Sequence, residues 1–219
     1  MTAAPHKVVA QLFVDLDSAR RFKKPPWDPD KEGSISFKSR VAFVVDFFAE
    51  MQMRVLASIV TLRPEESVTI RQSRIYHGWH RGITPTDDRR IWEEASAQFR
   101  AYTISKASFL PDIFFGNELS CASARCPIFD TLRINNGVER QKLVDTALVA
   151  DLLCFTRSES AGFRRGGKPS AIGIIIADDD DLYPGLFVAE QWGLPVHMLR
   201  VTRNKENKHL QVAGIATKL

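Results

Sequence analysis

Residues 171–201, AIGIIIADDDDLYPGLFVAEQWGLPVHMLRV, restrict the fold more than any other stretch of the chain. A continuous apolar run stops at four consecutive aspartates, a helical pattern follows and closes at Gly193 and Pro195, and a second apolar run comes after it. Strand, helix and strand at that spacing form a βαβ crossover, which makes the two strands parallel and places helices on the sheet faces. Asp178 to Asp181 then stand beyond the carboxyl end of a buried strand, where open parallel sheets bind their ligands. Like charges side by side repel, so a cation or a helix N-terminus is expected to compensate them.

The remaining segments extend this α/β pattern. KVVAQLFVDLDS reads as a first buried strand ending at Asp15 and Asp17. RRFKKPPWDPDKEGS, residues 20–34, carries three prolines and a glycine and reads as a loop or inserted excursion. Residues 37–62 have no internal breaker and show apolar residues all around a helical wheel, so a long, largely buried helix is expected. A second strand is predicted over 67–79, helices over 87–101 and 139–155, and short strands in PDIFFGNELS and FDTLRI. PVHMLRV is expected to be the last strand.

Composition excludes several classes. No apolar run reaches the roughly 18 residues that span a bilayer, and the N-terminus lacks a signal layout, so a soluble, cytoplasmic protein is expected. Cys121, Cys126 and Cys154 form no C-x-x-C pair and sit near no suitably spaced histidine, which argues against a disulfide framework or a zinc site. The formal net charge is +4, with the basic residues scattered and the aspartates concentrated in a few motifs. A basic protein with one acidic spot suits metal-dependent chemistry on nucleic acid.

Three segments supply that spot. Asp15 and Asp17 end the first strand, and Asp178 to Asp181 end the late one. In the 139–155 helix, Asp151 falls within an apolar stripe and Asp145 lies at its edge near the N-terminus. A crossover helix runs antiparallel to its strands, so Asp145 is expected at the same rim as Asp15 and Asp179, with Asp151 behind it as support. Carboxylates without histidine or cysteine make an oxygen-ligand site, suited to Mg²⁺ or Mn²⁺. Asp180 or Asp181 also suits the cap of the helix that starts near Leu182.

These segments, in this order, resemble the NYN branch of the PIN-like metal-dependent nucleases. LFVDLDS puts Asp15 on the family's first aspartate and Ser18 where asparagine is usual. KLVDTALVADLL supplies Lys142, Asp145 and Asp151, and ADDDDLYP puts Asp179 and Asp181 on the aspartates of the acidic turn and Pro184 on its proline. Asp178 replaces the glycine of that turn. The likeness covers the first strand and roughly residues 128–201. It implies a three-layer α/β/α, PIN-like (Rossmannoid) domain with a mostly parallel central sheet, a single domain over 1–219 with room for an insertion around 20–66. It also implies endoribonuclease chemistry on single-stranded RNA, with Asp15, Asp145, Asp179 and Asp181 holding Mg²⁺ or Mn²⁺ and Asp151 in support.

Substrate contacts are expected from Ser18, Lys142, Arg140 and Arg133, and from Arg164, Arg165 and Lys168 in the FRRGGK loop. Tyr76, His77, Trp79 and His80 offer aromatic faces without an assigned role. The expected partner is nucleic acid, RNA before DNA, and a homo-oligomer or regulatory protein stays open. Two rivals remain. FVDLDSA resembles the D-x-D opening of haloacid-dehalogenase-type phosphatases, in which the first aspartate is a covalent nucleophile and the second an acid. A PIN-like scaffold that binds RNA or protein without cutting is the other. No G-x-G-x-x-G follows the first strand, which argues against a dinucleotide enzyme.

Overall fold

The computed structural model describes residues 5–27, 35–120, 126–136, 138–163, 168–201, 212 and 214–219. The chain runs through β1 (His6–Asp15), α1 (Leu16–Ala19), α2 (Phe37–Leu62) and β2 (Glu66–Tyr76). A run of small elements follows: β3 (His80–Arg81), β4 (Thr84–Pro85), α3 (Asp87–Ser96), β5 (Tyr102–Ile104), β6 (Ala107–Phe109), β7 (Ile113–Phe115), β8 (Glu118–Leu119) and β9 (Cys126–Pro127). The chain continues with β10 (Leu132–Asn135), β11 (Val138–Gln141), α4 (Val144–Phe163), β12 (Ala171–Ala177), α5 (Tyr183–Gln191), β13 (Val196–Arg200) and β14 (Ala216–Lys218).

The protein is mixed α/β with a mostly parallel central sheet. Its strand order is β14-β13-β12-β1-β2-β6-β5, with β7 also on β2, and only the β5–β6 pair is antiparallel. Side chains alternate across a strand, and the core follows that alternation. Ile172, Ile174 and Ile176 of β12 pack with Leu12 and Val14 of β1 and with α2 and α3. Ala171, Ile175 and Ala177 turn the other way, onto α4 and α5. Both faces of β12 are therefore buried, which is why its sequence is apolar without interruption.

The predicted long helix is α2, with the same bounds, opened by Ser36, whose hydroxyl accepts from the Ser39 N–H at 3.2 Å. It is amphipathic rather than buried all round: Val44, Phe47, Phe48, Met51, Val55 and Ile59 face the core, while Asp46, Met53 and Ala57 are exposed. The β12-α5-β13 crossover is present, but β13 is not the last strand. The three residues of β14 pair parallel with its edge, and so short a run carries no readable period.

The predicted helix over 139–155 begins later. Residues 138–141 form β11, an antiparallel hairpin with β10, in which Asn136 takes a φ of +52° at an Asn-Gly dipeptide suited to such a turn. Leu143 then adopts a φ of +65°, a left-handed conformation that no α-helix continues through. The α4 helix starts only after it. Strand β2 likewise ends at Tyr76 and α3 at Ser96, each a few residues short of its predicted end.

Candidate active site

Strands β1 and β12 are parallel neighbours, with Val14 opposite Ile176, so the residues that follow them emerge side by side. The first turn of α4 comes to the same rim. Together they line an open, polar cavity of about 410 Å³ whose carboxylates are Asp15, Asp17, Asp145, Asp178 and Asp179. Asp15, Asp145 and Asp179 are thus brought together as expected. Asp181 is exposed just beyond, close enough for its charge to act on Asp145.

Asp15 is held in place before any ligand arrives. Its Oδ1 accepts from the Asp17 N–H at 3.1 Å, and Oδ2 accepts from the Ser18 hydroxyl. Burial pushes the Asp15 carboxyl above its ordinary range, against these hydrogen bonds. Ser18 is 2% exposed, and its oxygen accepts from the Asp178 N–H at 3.1 Å, tying the end of β12 to α1. Its hydroxyl bonds on both sides, so Ser18, which lines the cavity, holds Asp15 in position.

The run of aspartates resolves into four separate environments. Asp178 accepts from Arg21 at 2.7 Å, and Asp180 from Arg200 at 2.5 Å. Asp179, not Asp180 or Asp181, is the cap: its Oδ1 accepts from the Asp181 N–H at 2.9 Å and opens the turn that leads into α5. Cations and a helix start therefore both offset the charge. What remains falls on Asp145, pushed up to about 6 by burial and then by the charges of Asp15, Asp179 and Asp181.

A second set of residues was not legible in the sequence. Asp17 faces His77, with Oδ1 3.1 Å from Nδ1, and accepts from Gln141 Nε2 at 2.6 Å. His77 Nε2 lies 3.0 Å from Asp88, which also accepts from Arg20 at 2.9 Å. Burial pushes Asp17 up and His77 down, but their partners together outweigh it: His77, Arg20 and Gln141 bring Asp17 below its ordinary value, and Asp17 and Asp88 lift His77 above its own. Asp88 is held well below, as Arg20 and His77 outweigh its burial. The only sequence clue was the cluster of aromatics and histidines around residue 77.

Other expected site residues stand elsewhere. Asp151 is 1% exposed and does not line the cavity; it accepts from Arg74 at 2.8 Å, from the Tyr76 hydroxyl at 2.8 Å and from the Ser120 N–H at 2.6 Å. It joins α4 to β2 as a buried ion pair. Arg140, on the hairpin, and Lys142, just after it, are exposed beside the rim and not on a helix, and Arg133 is paired with Asp130 at 2.8 Å. Lys168 precedes β12 and so sits at the opposite end of the strand from the cavity, roughly 20 Å away at about 3.3 Å per residue. Arg164 and Arg165 lie outside the described residues.

A divalent cation can be tested against this donor set. Among the described residues, no group of three or more His, Cys, Asp or Glu side chains stands gathered as a ready-made cage. The cavity instead offers hard carboxylate oxygens spaced around open volume, which fits Mg²⁺, an ion that keeps several waters and takes one or two carboxylates. The raised Asp145 reflects the same crowding, since after burial the charges of Asp15, Asp179 and Asp181 push it up. Among the described residues no helix is long and apolar enough to cross a membrane. No family model, curated protein or solved structure matches the chain.

Proposed function

We propose that the chain is a Mg²⁺- or Mn²⁺-dependent nuclease that hydrolyses phosphodiester bonds in single-stranded RNA, built as a three-layer PIN-like domain. The observation that carries this reading is the convergence at Asp145: in an open polar cavity, burial and then the charges of three other carboxylates, from the ends of two neighbouring strands, raise it to about 6. Asp15, Asp145, Asp179 and Asp181 would hold the cation. When bound, it supplies charge to the phosphate and acidifies a water.

The chain's own residues divide the rest of the work. Ser18 and the Asp17 N–H keep the Asp15 oxygens aimed into the cavity. Asp145, raised to about 6, carries a proton in the metal-free protein only below about that pH, and there a cation displaces it. Arg21, at the cavity wall, and the exposed Arg140 and Lys142 beside it are the cations that meet the phosphate backbone.

The phosphatase alternative has one observation in its favour, since Asp15 and Asp17 line the same cavity. Against it, Asp17 is held below the ordinary carboxylate range by His77, so it is ionised where that chemistry needs an acid. The test is cleavage of labelled single-stranded RNA and DNA with Mn²⁺, Mg²⁺ or EDTA, by the wild type and an Asp15→Asn, Asp179→Asn double variant. Metal-dependent cleavage lost in the variant is expected. Turnover of a small phosphomonoester without strand cleavage sinks the nuclease in favour of the phosphatase, and inertness in both assays leaves a binding module.

A further inference from the structure

The β10–β11 hairpin is a two-stranded sheet of its own, apart from the central sheet. Its register sets Leu132 opposite Gln141, Arg133 opposite Arg140 and Ile134 opposite Glu139. Side chains alternate across a strand, so Leu132, Ile134, Glu139 and Gln141 share one face. That face is docked on the body. Gln141 donates to Asp17 at 2.6 Å, Glu139 pairs with Arg81, and Leu132 lies so close to Gly78 that a Cβ there would stand 3.1 Å from its side chain.

The opposite face is cationic and open. It carries Arg133 and Arg140, and Lys142 continues it just past the strand. Arg133 has Asp130 as a partner, but among the described residues neither Arg140 nor Lys142 pairs with an acidic side chain. Like charges directly opposite each other destabilise an antiparallel pair, so Arg140 across from Arg133 weakens the hairpin that carries them. A polyanion laid along this face offsets that loss. The position gives the face a direction: the chain passes from Lys142 into Leu143, Val144 and Asp145, which line the acidic cavity, as Gln141 does. The cations therefore lead up to the cavity from outside, on a hairpin fixed at its rim by the bond from Gln141 to Asp17.

We propose that the face bearing Arg133, Arg140 and Lys142 binds phosphates of a single strand to one side of the bond to be cut, so that the substrate is a run of several nucleotides rather than a short fragment. This rests on the nuclease reading of the acidic cavity and adds to it a grip that needs no metal. Contacts to the backbone position a strand without reading its bases, so the surface accepts any sequence. Because the hairpin is docked beforehand, little ordering opposes binding.

The experiment is a titration of metal-free protein in EDTA with fluorescein-labelled oligouridylates of two and eight nucleotides, followed by anisotropy at several salt concentrations. Tight binding of the octanucleotide and much weaker binding of the dinucleotide are expected. Each phosphate contact on a single strand contributes about −0.7 to the slope of log K against log salt. Arg140→Gln with Lys142→Gln removes two contacts, so the slope should become shallower by about 1.4 and the octanucleotide should bind about twentyfold more weakly in about 0.1 M salt. Arg140→Lys with Lys142→Arg keeps both charges and should keep the slope. Both positions are exposed, so thermal melts should match the wild type and show that the fold persists. No binding, equal binding of the two lengths, a glutamine variant with the affinity and slope of the wild type, or a charge-keeping variant as weak as the glutamine one overturns the proposal. So does displacement of the octanucleotide by polyglutamate as readily as by polyuridylate, which assigns the face to an acidic protein. Binding lost in the glutamine variant, without Mn²⁺-dependent cleavage by the wild type, leaves the hairpin standing and removes the nuclease. Cleavage by the wild type, with unchanged binding in the glutamine variant, does the reverse.

Discussion

Ser18 shows how much of the site hangs on one hydroxyl. It donates to Asp15 and accepts from the Asp178 N–H, joining two strand ends. Ser18→Ala leaves both groups without that partner, so a loss of about 1–3 kcal/mol in urea unfolding is expected, with cleavage reduced further than stability. A second consequence concerns pH. Asp145 is raised in the folded protein to about 6, against an ordinary value of 3.8. The folded state therefore keeps a proton that the unfolded state has lost, and stability in EDTA should fall as pH rises from about 4 to about 6. Water at the open rim screens the effect to at most about 1 kcal/mol. An Asp145→Asn variant should lack this slope, and a slope that survives in it assigns the effect elsewhere. Asp15, Asp145 and Asp179 were legible because each follows a clear strand or opens a clear helix. Asp17 and Gln141 were not linked by any local pattern, being 124 positions apart.

At the scale of the element, α4 is placed by a residue that the helical pattern concealed. VERQKLVDTALVADLL continues a helical period through Leu143, yet Leu143 sits at φ +65° and ends the β10–β11 hairpin before Asp145. Periodicity cannot see backbone handedness, which is why the predicted helix began too early. A left-handed leucine costs about 1 kcal/mol that glycine avoids. Leu143→Gly should therefore raise the melting temperature by a few degrees while loosening the approach to Asp145, so that cleavage falls as stability rises. A fall in both assigns Leu143 to packing. Further along α4, Asp151 was read as support for the metal and proves to be the buried partner of Arg74. Breaking such a pair leaves an unmet charge, so Arg74→Met alone should cost about 3–5 kcal/mol, and the Arg74→Met, Asp151→Leu pair much less. Urea denaturation of the two variants measures the difference.

For the whole molecule, the parallel sheet followed from one crossover, because a buried strand, a helix and a strand leave few other topologies. The hairpins and β14 did not, since strands of two to four residues carry no period and owe their existence to neighbours already in place. The same sheet gathers negative charge at one rim of a chain with a net charge of +4, and that asymmetry can be read in stability. Asp179 has two roles at that rim, cap and charge, and two substitutions separate them. Asp179→Asn keeps an oxygen for the Asp181 N–H and removes the repulsion on Asp145, so it should melt higher than wild type in EDTA. Asp179→Ala loses the cap as well, at a cost of about 1 kcal/mol, and should melt lower than Asp179→Asn. Mn²⁺ at a hundred times its dissociation constant should stabilise the wild type by about 2.7 kcal/mol and Asp179→Asn by less. Equal stabilisation of both by Mn²⁺ removes Asp179 from the cation's ligands, and an Asp179→Asn variant that melts below wild type in EDTA makes the cap, rather than the charge, its purpose.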